Sequence, residues 1–219
     1  MSQPQSPLKA KRLRFAPLAI ATGVLGAVLL SVSMSGTLSG FVASITNSTN
    51  TTATGSLVMQ EQNSTATVTC LSTDAGSNSN TINTNASTCS SINKYGGSTT
   101  MIPGQTVTTS IGITNKGTVA ANTFTLTPGT CSYGNNGTVN GSATDICSQM
   151  TVVIKNTTTA ATLYSGTLAG LTSGGAITLP AQAAGALTNF SFAVTLPTTA
   201  GNTYQGLSVS QPLVWSFSS

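Results

Sequence analysis

TVTTSIGITNKGTVAANTFTLT, residues 106–127, decides the structural class of the chain. Over 106–114 the apolar residues Val107, Ile111 and Ile113 share one parity, with Thr109 in phase and Thr, Ser or Gly between them. A period of two places those side chains on one face of a strand. Residues 119–127 read as a second strand, and Asn115-Lys116-Gly117 supplies turn residues, so the stretch predicts a hairpin. The alternation returns downstream. Met150, Val152 and Ile154 alternate with Thr151, Val153 and Lys155; Phe190, Phe192, Val194 and Leu196 alternate with Ser191, Ala193 and Thr195. The longest candidate is the last, with Leu207, Val209, Leu213, Trp215 and Phe217 on one parity, and Pro212 within it demands an edge or a bulge. Shorter candidates are 55–59, 66–70, 122–127, 161–164 and 176–179, and no helical stripe is evident after residue 40. Short strands with one apolar face each predict an all-β fold, a single antiparallel sandwich.

Composition narrows the chemistry. Of 219 residues only 5% are charged, against roughly 25% in ordinary soluble domains. There is no histidine, and the acids number three: Glu61, Asp74 and Asp145. Carboxylate pairs, His-dependent triads and most metal sites lack their groups, so no catalytic, cofactor-binding or metal residue is assigned. The net charge of +4 is concentrated at one end: Lys9, Lys11, Arg12 and Arg14 lead, and Lys94, Lys116 and Lys155 balance the three acids. Nothing beyond residue 14 neutralises a run of phosphates, so no nucleic-acid partner is expected. The three remaining lysines are expected on solvated loops and strand faces, and the parity of Trp215 makes it a core residue.

The basic stretch 1–14 precedes an uncharged apolar run, 15–34, FAPLAIATGVLGAVLLSVSM. This is the pattern of a secretory signal. Small Thr37 and Ser39 suit the −3 and −1 positions of a cleavage site between Ser39 and Gly40, which makes 1–39 a signal peptide with a signal helix. A retained anchor is the alternative, since about 20 apolar residues can span a membrane. The membrane then enters only through the precursor. After it, 40–56 read as an N-terminal arm and 57–219 as the sandwich domain.

Four cysteines lie beyond the signal, and their spacing favours two local bridges, Cys70–Cys89 and Cys131–Cys147, in an oxidising compartment. Eight Asn-x-Ser/Thr sequons occur, at Asn47, Asn50, Asn63, Asn85, Asn136, Asn140, Asn156 and Asn189. Residues 45–56 and 72–101 are polar almost without interruption, and disorder is the alternative reading for both.

Three segments together resemble the TasA/camelysin family of exported bacterial proteins. Residues 37–59 are similar to the family's junction, through Thr37-Leu38-Ser39, Phe41 and Gly55-Ser56-Leu57. Residues 101–126 resemble its "PGD-x-V…V-x-N-x-G" segment, through Pro103, Gly104, Val107, Asn115 and Gly117. Residues 201–217 resemble its closing "N-x-YQG" strand, through Asn202, Tyr204, Gln205 and Gly206. The resemblance implies a jelly-roll-like β-sandwich, signal processing by an endoplasmic-reticulum-type signal peptidase, and assembly into extracellular matrix fibres, as in biofilms. In such fibres the N-terminal segment of one subunit completes the sheet of the next. The chain departs from the family at its four cysteines and at Ala43, where an acid is common. The metalloprotease activity ascribed to camelysin finds neither ligands nor a base in this chain.

A secreted or cell-surface structural subunit is therefore expected, with itself as partner and no enzymatic activity. A monomeric adhesin or binding module is the alternative. The donor strand is expected after the cleavage site, where Phe41, Ala43 and Ile45 alternate with Val42 and Ser44, Phe41 and Ile45 filling pockets on a neighbour.

Overall fold

The computed structural model describes Ile45, residues 50–75, 79–80 and 85–219. The chain divides into two compact units, Met1–Thr52 and Ala53–Ser219, and the described strands all lie in the second. Its first strands are β1 (Met59–Asn63), β2 (Thr69–Leu71), β3 (Asp74–Ala75), β4 (Ser79–Asn80), β5 (Thr106–Asn115), β6 (Thr123–Pro128) and β7 (Ser132–Asn135). Then follow β8 (Thr151–Asn156), β9 (Ala161–Thr167), β10 (Ile177–Leu179), β11 (Leu187–Thr195), β12 (Leu207–Ser210) and β13 (Leu213–Ser218). Two short helices, α1 (Ile146–Gln149) and α2 (Leu168–Gly174), and a 3-10 turn at Asn202–Tyr204 complete the described elements.

The result is an all-β antiparallel sandwich, as the alternating segments predict. A six-stranded sheet runs β2-β1-β5-β11-β8-β9, a three-stranded sheet β10-β6-β13, and two ribbons pair β12 with β7 and β3 with β4. The inward residues of the large sheet, Ile111, Ile113, Val152, Ile154, Phe190 and Phe192, are 0–1% exposed. Phe124, Leu126 and Leu179 meet them from the small sheet. Phe124 packs edge-on against Phe190 at 6.0 Å and Phe217 at 4.7 Å, and Trp215 lies 4.8 Å from Phe190. The pairs of Phe190 with Phe124 and Trp215 join the layers, while Phe124 and Phe217 pack edge to face within the small sheet, a geometry that ring quadrupoles favour. Trp215 packs against the core on the face its parity predicts but is only half-buried there.

The expected hairpin across Asn115–Gly117 does not form. β5 pairs with β1 and β11, and β6 pairs with β10 and β13, so the two halves of the quoted stretch lie in different sheets. The turn's hydrogen bonds are taken by a third segment: Lys116 N–H donates to Val58 O, and Thr118 N–H to Ser56 O. Buried Asn115 locks the corner, donating from Nδ2 to Val119 O and Gln182 O and accepting from Gly117 N–H. A Cβ at Gly117 would collide with the Ser56 carbonyl, which explains why the corner uses glycine. Turn residues and alternation are shared by hairpins and by corners between layers; the third segment makes the difference.

Other expectations shift for similar reasons. The strand proposed at 55–59 begins at Met59 instead, and 56–58 serve the corner. The strand proposed at 66–70 is β2, centred on Cys70. The long final strand is broken at Gln211-Pro212 into β12 and β13, which pair in different sheets. Within α2, Leu168 and Leu171 are buried one turn apart, too brief a stripe to stand out.

Candidate functional site

The two main sheets have four edge strands, and three are blunted. β2 is three residues long and is tied down by its disulfide. β10 is three residues long and is followed by Pro180. β9 is bulged against β8 between Ile154 and Lys155. Short length, bulges and proline are the devices that protect an edge from pairing with another chain. β13, LVWSFS, is preceded by Pro212 but runs unbulged for six residues with no charge and no internal proline and, among the described residues, has a partner strand on one side only.

β13 also borders a groove of about 1430 Å³. Its inward residues Leu213, Trp215 and Phe217 are half-buried, in contrast to the sealed residues of β11. The groove continues past Val209 of β12 and is floored by Val194 and Leu196. Among the described residues, buried Trp215 Nε1 has no hydrogen-bond acceptor, although nearly all buried donors find one. The volume exceeds the roughly 300–1,000 Å³ of a small-molecule pocket. Its elongated rim alongside an open edge suits a segment of polypeptide.

The segment 85–103, a strap without strand structure, also lines the groove. Ile92 is its one residue in the buried core. Disulfide Cys70–Cys89 fastens it to β2. Beside that bond, Lys94 Nζ stands 2.6 Å from Glu61 Oε1, with the two side chains 10% and 9% exposed. Cys70 and Glu61 are direct cross-strand partners, so both fastenings land on one spot of the sheet. The expectation that Lys94 is a solvated surface charge is therefore wrong: a carboxylate at the edge of the core draws it in. The next residue, Tyr95, donates its O–H to Gln211 Oε1 at 2.6 Å, and burial, with Tyr164 adding to it, pushes the Tyr95 hydroxyl well above its usual range. Gln211 in turn donates to Gly129 O and Leu168 O, holding the break between β12 and β13. Asn136 Nδ2 donates to Thr99 O.

Of the residues singled out in the sequence, the four cysteines form the two local bridges, Cys70–Cys89 and Cys131–Cys147. The second ties the start of β7 to α1. Ser39, Gly40 and Phe41 lie outside the described residues, as do 1–38. Ile45 is outside any strand and its side chain is exposed. Of the sequons, Asn156 ends β8, is buried, and its side-chain Oδ1 accepts from the Thr158 and Thr159 N–H groups of the turn that follows. The stretch 72–101, polar in sequence, is held from 85 onward by the strap's contacts. No apolar periodicity marks Lys94, Tyr95 or Gln211; only the cysteine spacing points to their neighbourhood.

Among the described residues no three His, Cys, Asp or Glu side chains gather as a metal site, and no helix is long and apolar enough to cross a membrane. The fold and site define an antiparallel β-sandwich with two disulfides and, among the described residues of its two main sheets, one unblunted edge, and the disulfides suit an oxidising compartment. No family model matches the chain, and no curated protein matches it.

Proposed function

We propose that the protein is a secreted or cell-surface structural subunit that polymerises by strand donation: residues 40–45 of one copy pair with the β13 edge of the next. The observation that carries this reading is the contrast among edges, three blunted and one open beside an apolar groove. The lengths agree, since β13 has six residues and 40–45 are six. Phe41, Ala43 and Ile45 would face the groove while main-chain hydrogen bonds provide affinity. The polar run 46–54 reaches roughly 30 Å when extended, enough to pass between subunits. A near-neutral surface with few charges favours association. The likeness to TasA/camelysin proteins, exported and fibre-forming, points the same way, and signal cleavage between Ser39 and Gly40 would release the donor. No residue lining the groove supports an enzymatic role for it.

Deleting 40–46 tests the proposal. The mature truncated protein should stay a folded, soluble monomer by sedimentation and circular dichroism, while the intact mature chain forms fibres visible by electron microscopy. Fibres from the truncated chain would overturn donation through this segment, and a monomeric intact chain would support the adhesin or binding-module alternative instead.

A further inference from the structure

We propose that the Cys70–Cys89 disulfide is an assembly switch: it holds the strap 85–103 as a wall of the β13 groove, so the groove accepts a donor strand only after oxidation. This rests on the strand-donation reading and adds a condition to it.

Four observations converge on the strap. It lines the groove that β13 borders. It carries no strand hydrogen bonding of its own between 85 and 103. Ile92 is its one fully buried residue, and Cys89, Tyr95 and Met101 are partly buried against the core. Its remaining fastenings are the disulfide, the Lys94–Glu61 pair, and the hydrogen bonds with Gln211 and Asn136. A segment with a single fully buried residue lies at the low end of local stability. Removing the one covalent fastening frees a loop of 19-residue separation to explore alternatives, and the wall is lost before the core is. The core does not depend on it, because Phe124, Phe190, Phe192 and Ile154 are sealed by the sheets themselves. The second bridge, Cys131–Cys147, lies between β7 and α1 and serves as a built-in control.

The chemistry is thiol–disulfide exchange. The thiols of Cys70 and Cys89 give up two protons and two electrons to a disulfide oxidant of the exported compartment, which leaves as a dithiol, and the Cys70–Cys89 bond forms. Inside a reducing cytoplasm the pair stays open. Donor and acceptor are thus each withheld until export, one by the signal peptide and the other by the missing bond.

The probe is a synthetic peptide of residues 40–46, titrated into the mature chain lacking 40–46, whose compact unit Ala53–Ser219 retains the whole core. The peptide should bind the oxidised protein, and the C70S/C89S variant should lose at least tenfold in affinity. A C131S/C147S variant should bind within about threefold of the parent. Equal binding by C70S/C89S and the parent overturns the switch and leaves strand donation standing. No binding to the oxidised parent overturns strand donation, and the switch with it. If C70S/C89S does not fold, hydrogen exchange on the oxidised parent decides. The peptide should slow amide exchange in both β13 and 85–103, and slowing in β13 alone would overturn the wall role.

Discussion

β11 and β13 carry the same kind of sequence and have opposite fates. Each alternates apolar and small polar residues, FSFAV in one and LVWSF in the other. β11 lies inside the large sheet, paired with β5 and β8, and its Phe190 and Phe192 are fully buried. β13 lies at the rim, paired with β6 alone, and its Leu213, Trp215 and Phe217 remain half-buried beside the groove. Alternation therefore specifies a face, while position in the sheet decides whether that face is finished. An unfinished apolar face on an unprotected edge is a liability for a protein meant to stay alone, and a means of assembly for one meant to polymerise.

Substitutions on the two strands should separate these roles. Phe190→Ala removes a ring packed against Phe124 and Trp215 and should destabilise the fold by about 3–5 kcal/mol in urea titration. A loss under about 1 kcal/mol would mean that the sealed side is no more essential than the open one.

Lys94→Met should cost a similar amount, about 3–5 kcal/mol, because it leaves Glu61 charged and unpaired near the core. The double variant Glu61→Met with Lys94→Met should recover most of that loss. If both single and double variants melt like the parent, the strap is not fastened there.

Phe217→Ala, on the open side, should cost only about 1–2 kcal/mol in the monomer. Its main effect should fall on fibre yield, read by pelleting. The reverse pattern, large destabilisation with fibres intact, would make β13 an ordinary core strand.

The smallest effect concerns pH. Hydrogen bonds from Tyr204 and then Gln149 hold exposed Asp145 below its ordinary value of 3.8. A depressed folded-state value means that this contribution is complete above about pH 4 and fades as pH falls through the lowered value. Tyr204→Phe should move the Asp145 titration, followed by NMR, back up toward 3.8, with little change in melting at neutral pH. An unmoved titration would show that Tyr204 does not hold the carboxylate.

Which parts of the fold are legible in the sequence depends on which residues form them. β5, β8, β11 and β13 are visible because inward apolar residues recur at every second position, as in Ile111 and Ile113, Val152 and Ile154, Phe190 and Phe192, and Leu213 and Trp215. β1, MQEQN, is hidden because its one buried residue is Glu61, made tolerable by Lys94 from a distant part of the chain. β7, SYGN, is exposed throughout and carries no inward signal. The corner at Asn115–Gly117 looks like a hairpin because its decisive partners, Ser56 and Gln182, are remote in sequence. Of the groove, the cysteine spacing foretells one fastening; the Tyr95–Gln211 contact spans 116 positions and leaves no local trace.

Donation of a strand to β13 can be read at residue level by photocrosslinking. A photoreactive phenylalanine analogue at position 41, in fibres grown from isotopically mixed subunits, should crosslink between subunits to Leu213–Ser218. Crosslinks confined to one chain, or directed to β2, β9 or β10 of the neighbour, would contradict donation to the β13 edge.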